Sequence, residues 1–535
     1  MRPRTGIAAF VTVVGVAGAL AAAGTGAQAS TAGPGGASGT HLIPGDLLVS
    51  TSTYINDPSI VVGQTKLPPG SSAPVTAIAN GDYPGVFNND TVDSSFGVTS
   101  PLYLDEVTPS GRRQGVIPVP TSDLVTSFSS KSEDALNLSS DGKYVTFMGY
   151  VAKPDTIDVS NSNTPGVVDS TNPVPGTDYR AVASLSGNGK WTFTETNAYS
   201  GNNGRAATMA KVDGKYYVYT AGNAGNGANP QPTGVVLGAG TQIISPSSLA
   251  ESAQNPGQPT PVGSFSVTAL GDSADKLGKD DNFRGLTEYD NVLYYTKGSG
   301  SNGVNTVYFL DTTGKACPNG TGIPAKNAPL PTSSIASTLT SSGLASNMCV
   351  LKGFPTALAK GATDASDYPF GLWFASPTTL FVADEGAGDN AYSGGSYTAA
   401  AASTTAGLQK WVYNVSAGQW ELAYTLQSGL NLGTPYTVKG YPTGNNSVTN
   451  LPWAPATDGL RNITGKVNPN GTVTIYGVTS TVSGSGDQGA DPNALVAVTD
   501  KVSATSQPAA EKFATVIAPS YDKVVRGVSF TPGTR

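Results

Sequence analysis

The stretch NFRGLTEYDNVLYYTKGSG, residues 282–300, reads as a short apolar strand, a tight turn at Asp290-Asn291, a second strand and a glycine-rich loop. Asp and Asn tolerate positive φ, which two-residue hairpin turns require. Four other segments share this layout. They are DALNLSSDGKYVTFMGY from Asp134, RAATMAKVDGKYYVYTAGN from Arg205, FGLWFASPTTLFVADEG from Phe370 and LRNITGKVNPNGTVTIYGVTS from Leu460. A polar loop follows each, then two more strand-like pieces, such as those in GLQKWVYNVSAGQWELAYTL from Gly407. Four antiparallel strands, repeated every ~60–90 residues, make an all-β chain built as a propeller of four-stranded blades.

The two ends complement each other. VVRGVSFTP, from Val524, supplies an opening strand with no successor. GDLLVSTSTY, from Gly45, and PLYLDEVTPSGRRQGVIPVP, from Pro101, supply later strands with no opener. Pairing the N- and C-terminal strands completes one blade and removes two open sheet edges. The expected architecture is therefore a six-bladed β-propeller. Seven blades is the alternative if the regions around Ala316–Met348 or Thr434–Asp458 hide further strands.

Arg2 and Arg4, an apolar run from Ile7 to Ala23 and the small residues Ala27-Gln28-Ala29 have the form of a secretory signal. The expected organisation is a signal peptide over 1–29, a flexible linker over 30–44 and a single propeller domain over 45–535. No later run is long and apolar enough to span a bilayer, so a secreted, extracellular protein is expected. Losing Arg2 and Arg4 with the signal takes the formal charge from −7 to −9, which argues against nucleic acid as a partner. The two cysteines, Cys317 and Cys349, are expected to form a disulfide in an oxidising compartment. The single histidine, His41, falls in the linker. Histidine-based triads, general bases and zinc sites are thereby excluded from the folded part.

The long loops, rich in Gly, Asn and Asp, follow the second strand of each repeat. In a propeller they share one face with the blade crossings, so the binding face is expected there, at the channel mouth. Aligned on their turns, the opening strands place Arg205, Arg284, Phe370, Arg461 and Arg526 at equivalent positions, with Glu133 in blade two. Converging guanidinium groups would bind carboxylate or sulfate in bidentate fashion. The competing structural reading is that they brace neighbouring blades through backbone carbonyls. No cofactor is expected. Calcium is the one ion for which ligand chemistry exists, in Asp384, Glu385 and Asp389 of one loop and Asp487 and Asp491 of another, though without a fixed ligand spacing.

The blade layout resembles the six-bladed NHL-type and gluconolactonase-like propellers. YSGNNGRAA, from Tyr199, and ATDGLRNITG, from Ala456, are similar to an uncharacterised family of exported bacterial propellers. Neither resemblance implies an activity.

Two functions fit these observations. One is an extracellular enzyme acting on an acidic polysaccharide, with a monomer as the expected form. As a lyase it would need arginines on the uronate carboxylate and a tuned base, for which Tyr368, Lys297 and Lys523 are the candidates. As a hydrolase it would need two carboxylates, drawn from Glu133, Asp281 and Asp458. The alternative is a non-catalytic scaffold that binds carbohydrate or protein.

Overall fold

The computed structural model describes residues 41–54, 61, 64, 66–67, 75–76, 98–128, 132–157, 159–165, 176–223, 240–244, 263–267, 282–298, 303–317, 320–332, 345–359, 367–486 and 488–534. They form six blades. From the axis outward, blade one consists of Lys523–Phe530, Leu47–Thr53, Leu102–Val107 and Arg113–Pro118, and blade two of Asn137–Leu138, Tyr144–Tyr150, Arg180–Ser186 and Trp191–Thr196. Blade three runs through Gly204–Val212, Lys215–Gly222, Thr241–Ile244 and Gly263–Val267. Blade four comprises Leu286–Tyr289, Val292–Lys297, Thr306–Leu310 and Ala345–Leu351. Pro369–Ser376, Thr379–Asp384, Gly407–Asn414 and Gln419–Leu426 make blade five. Ala456–Val467, Thr472–Val482, Leu495–Lys501 and Ala514–Ile517 make blade six.

The Asp290-Asn291 turn behaves as its chemistry demands. Asp290 and Asn291 have φ of 52° and 61°, and Glu288 pairs with Leu293 across them. The terminal strands close the ring. Leu47 pairs with Phe530 and Thr53 with Lys523, with one register slip between Ser50 and Thr51. The two regions that held open a seventh blade contain none among the described residues. Thr321–Gly322 and Ala345–Leu351 belong to blade four, and residues 434–455 form a looped crossover.

Apolar residues face outward from both sides of each blade, so the core is a series of layers between neighbours. Leu48 and Phe147 share a layer of blades one and two. Met148 and Val218 do so for blades two and three, and Phe381 and Leu460 for blades five and six. Blades three and four go further. Their outermost strands, Gly263–Val267 and Ala345–Leu351, pair in parallel and merge the two blades into one sheet. Cys317 and Cys349 are bonded, 32 residues apart, and fasten the excursion between the third and fourth strands of blade four. No helix among the described residues is long and apolar enough to cross a membrane.

Candidate functional site: the ring at the channel mouth

The mouth is built where the innermost strands touch one another. A Cβ on Gly285 would lie 1.8 Å from the Phe370 carbonyl oxygen, one on Gly371 2.5 Å from that of Arg461, and one on Gly527 2.5 Å from that of Asp134. Only glycine permits such approaches. The other junctions use different contacts. Ala135 bridges to Ala206, Arg205 donates to the Phe283 carbonyl at 2.9 Å, and the Val528 amide donates to Asn462 Oδ1 at 2.6 Å. The six junctions form a closed ring. The residues in equivalent places are Asp134, Arg205, Arg284, Phe370, Arg461 and Arg526.

This corrects the sequence alignment in blade two, where Asp134 and not Glu133 takes the equivalent place. The cause is local. The innermost strand of that blade is only two residues long, and Asp134 adopts a φ of 60°. Counting back from the turn therefore lands one residue early.

Three of the four arginines are buried and braced. Arg205 donates to Asn282 Oδ1 as well as to Phe283. Arg526 donates to Ser52 Oγ at 2.9 Å and to the Ser127 carbonyl at 3.2 Å. Arg461 pairs with Glu385 at 3.3 Å. Exposures of 3–5% leave these three little surface for a ligand, and Phe370, at 1%, has still less. Arg284 differs in being half-buried. Burial lowers the pKa of its guanidinium; Glu385 opposes that shift and Arg461 adds to it. Arg205 is lowered further, by burial first and then by Arg284.

The acids are equally organised. Glu133 accepts from Tyr150, from Asn203 Nδ2 at 2.7 Å and from the Ser127 amide at 3.2 Å. Burial and the neighbouring Glu133 push Asp134 up to about 8, against the opposing effects of Thr126 and Arg526. Asp384 is also pushed up to about 8 by burial, although the Tyr368 and Gly386 amides donate to it at 2.7 and 2.9 Å. Asp458 accepts from the Gly388 amide at 2.7 Å. Asp384 and Asp458 thus clamp the glycine-rich turn that begins at Glu385, and the clamp fixes Glu385 beside Arg461.

The candidate bases have other surroundings. Burial raises the Tyr368 phenol, and so do Asp384, Asp458, Asp389 and Asp367, in that order, so a phenolate is disfavoured there. Lys297 is fully buried and donates to Asn305 Oδ1 at 3.0 Å. Lys523 lines a separate cleft of about 220 Å³ between blades six and one, together with Asp105 and Arg113. Asp281 and Asp487 lie outside the described residues. Among those described, no three acidic, histidine or cysteine side chains gather as metal ligands. Sequence reasoning missed the amides Asn203 and Asn282 and the counter-ion Glu385. The Asn-x-Arg pattern of Asn203-Gly204-Arg205 and Asn282-Phe283-Arg284 was the available signal for the amides.

The raised carboxyls predict a pH dependence. In the folded chain Asp134 and Asp384 hold their protons up to about pH 8, whereas in the unfolded chain they lose them near pH 4. Between those values the unfolded chain binds fewer protons, so folding stability falls as pH rises through the window. Denaturant unfolding is expected to show greater stability at pH 5 than at pH 8, with Asp134→Asn flattening the difference. A wild-type stability that rises over this range would contradict the assignment.

No family model matches the chain, and no curated protein does. Solved structures with detectable likeness include an ulvan lyase of a new family of polysaccharide lyases, at 11% identity over 86% of this chain and 96% of that one, with a TM-score of 0.30. NanB with optactamide matches at 8% identity over 76% of this chain and 62% of that one, TM-score 0.34. A β-xylosidase/α-arabinofuranosidase from a compost microbial metagenome matches at 10% identity over 67% of this chain and 89% of that one, TM-score 0.25. At these scores none of them bears on what the mouth does.

Proposed function

We propose that this chain is a secreted propeller that binds an acidic polysaccharide at its channel mouth, with Arg284 meeting the carboxylate or sulfate of the ligand. The observation that carries this reading is the difference among four similar arginines. Arg205, Arg461 and Arg526 are only 3–5% exposed, while Arg284 keeps part of its surface open. Asn282, two residues before it and also half-buried, accepts from Arg205, and Asn203 donates to Glu133, so both amides hold the neighbouring charges in place. The partial burial of Tyr368 among acidic side chains and the full burial of Lys297 favour binding over elimination. The disulfide and the N-terminal Arg2-to-Ala29 signal pattern support export.

The test is calorimetric titration with uronate and sulfated oligosaccharides at low and high salt. Loss of one charge-assisted pair, about 1.5–3 kcal/mol, corresponds to roughly 10–100-fold weaker binding. Arg284→Ala is expected to show that loss while still unfolding in one cooperative transition. Arg284→Lys should also bind more weakly, because a point charge cannot reproduce the planar fork. Affinity should fall with salt. Wild-type affinity in Arg284→Ala would refute the role. Release of reducing ends or unsaturated products from the same oligosaccharides would replace binding by cleavage.

A further inference from the structure

A second cavity, of about 430 Å³, opens between blades five and six. One wall is the crossover 429–437, and the other is the sheet of blade six. Its size falls within the range of small-molecule sites, about 300–1,000 Å³. No charged side chain lines it, in contrast to the ring of the mouth. Thr434, Thr437 and Thr515 contribute exposed hydroxyls, and Asn431 an exposed amide. Tyr436 lines one side, its ring also packed against the cluster of Tyr54, Phe128 and Val438. Its hydroxyl donates to the Pro492 carbonyl at 2.7 Å, and its backbone amide donates to the Pro455 carbonyl at 2.8 Å. Both ends of that residue are tied to neighbouring loops, so the ring plane is set before any ligand arrives.

From these features we infer that the cavity is a binding site for a neutral sugar residue. Uncharged hydroxyls and an amide can each donate and accept, which suits the mixed donors and acceptors of a pyranose. A rigid aromatic face suits the apolar C–H face of the same ring, and pre-setting it lowers the ordering cost of binding. A charged ligand would find no counter-ion here. Arg284 does not line the cavity, and the inference does not depend on the role proposed for that residue.

The test uses the full exported chain and defined probes: methyl β-galactoside, methyl α-mannoside, methyl β-xyloside and the corresponding disaccharides. Binding is read by saturation-transfer NMR and calorimetry. At least one probe is expected to bind saturably. Thr515→Arg, which places a long side chain in the mouth of the cavity from an exposed position, should weaken that binding at least tenfold. Arg284→Ala should leave it unchanged. Tyr436→Phe keeps the aromatic wall and should retain most of the binding, while Tyr436→Ala should lose it. Absence of saturable binding by every probe would overturn the inference. So would binding that is indifferent to Thr515→Arg in a variant whose unfolding midpoint matches wild type.

Discussion

Deleting residues 522–535 is expected to abolish the cooperative unfolding transition of the whole propeller. The segment removed contains the innermost strand of blade one, which pairs with Leu47–Thr53 along its length. Val524, Val525, Val528 and Phe530 are buried to within 6% on that strand. At about 1.5–3 kcal/mol for each buried side chain, their loss removes roughly 6–12 kcal/mol, as much as the usual stability of a folded domain. Arg526 and Gly527 go with them, which opens the ring at two junctions, and the Leu47–Thr53 edge is left unpaired and prone to aggregate. The measurement is calorimetry or denaturant unfolding of the truncated chain, with a synthetic 522–535 peptide added in trans as a rescue. A truncated chain that melts within a few degrees of the full one would remove terminal-strand closure as a source of stability.

The second large effect concerns a charge cluster between blades five and six. Lys410 Nζ lies 2.7 Å from Asp500 Oδ2, with both side chains fully buried, and donates also to the Lys501 carbonyl at 2.7 Å and to Tyr424 OH at 3.1 Å. Tyr424 in turn donates to the other oxygen of Asp500. Lys410→Met would leave the carboxylate buried without its counter-charge. Removal of one partner from such a pair costs about 3–5 kcal/mol. Lys410→Met combined with Asp500→Leu is expected to recover most of that loss, since two apolar residues carry no desolvation cost. A single-variant cost under about 1 kcal/mol, or a double variant as unstable as the single, would show that the pair is not the fastening described.

Blade architecture was legible because it is written locally. Alternating apolar residues and turn pairs such as Asp290-Asn291 specify hairpins within about twenty residues of chain, and the complementary ends implied the closure. The arginines were legible as a set but not as individuals. Arg526 is braced by Ser52, which stands 474 residues away, and Arg205 by Asn282, 77 residues away. No local pattern separates these from the half-buried Arg284. Glu133 was misplaced by one residue because the opening strand of blade two is short and irregular, and periodicity fails where a strand is distorted. Lys410 and Asp500, 90 residues apart, look like ordinary strand charges until the two blades are packed together.

The parallel pairing of Gly263–Val267 with Ala345–Leu351 distributes stiffness unevenly around the ring. Blades three and four share one hydrogen-bonded sheet. Among the described residues, blade six is joined to its neighbours by Lys410 to Asp500 and the backbone bond from Phe513 to Ser428 on one side, and by Asn493 and Asn462 to the closing strand on the other. Both clefts, of about 430 and 220 Å³, flank this blade. Both clefts thus lie on the side of the ring away from the fused pair, where amide hydrogen exchange is expected to be faster than along the joined strands.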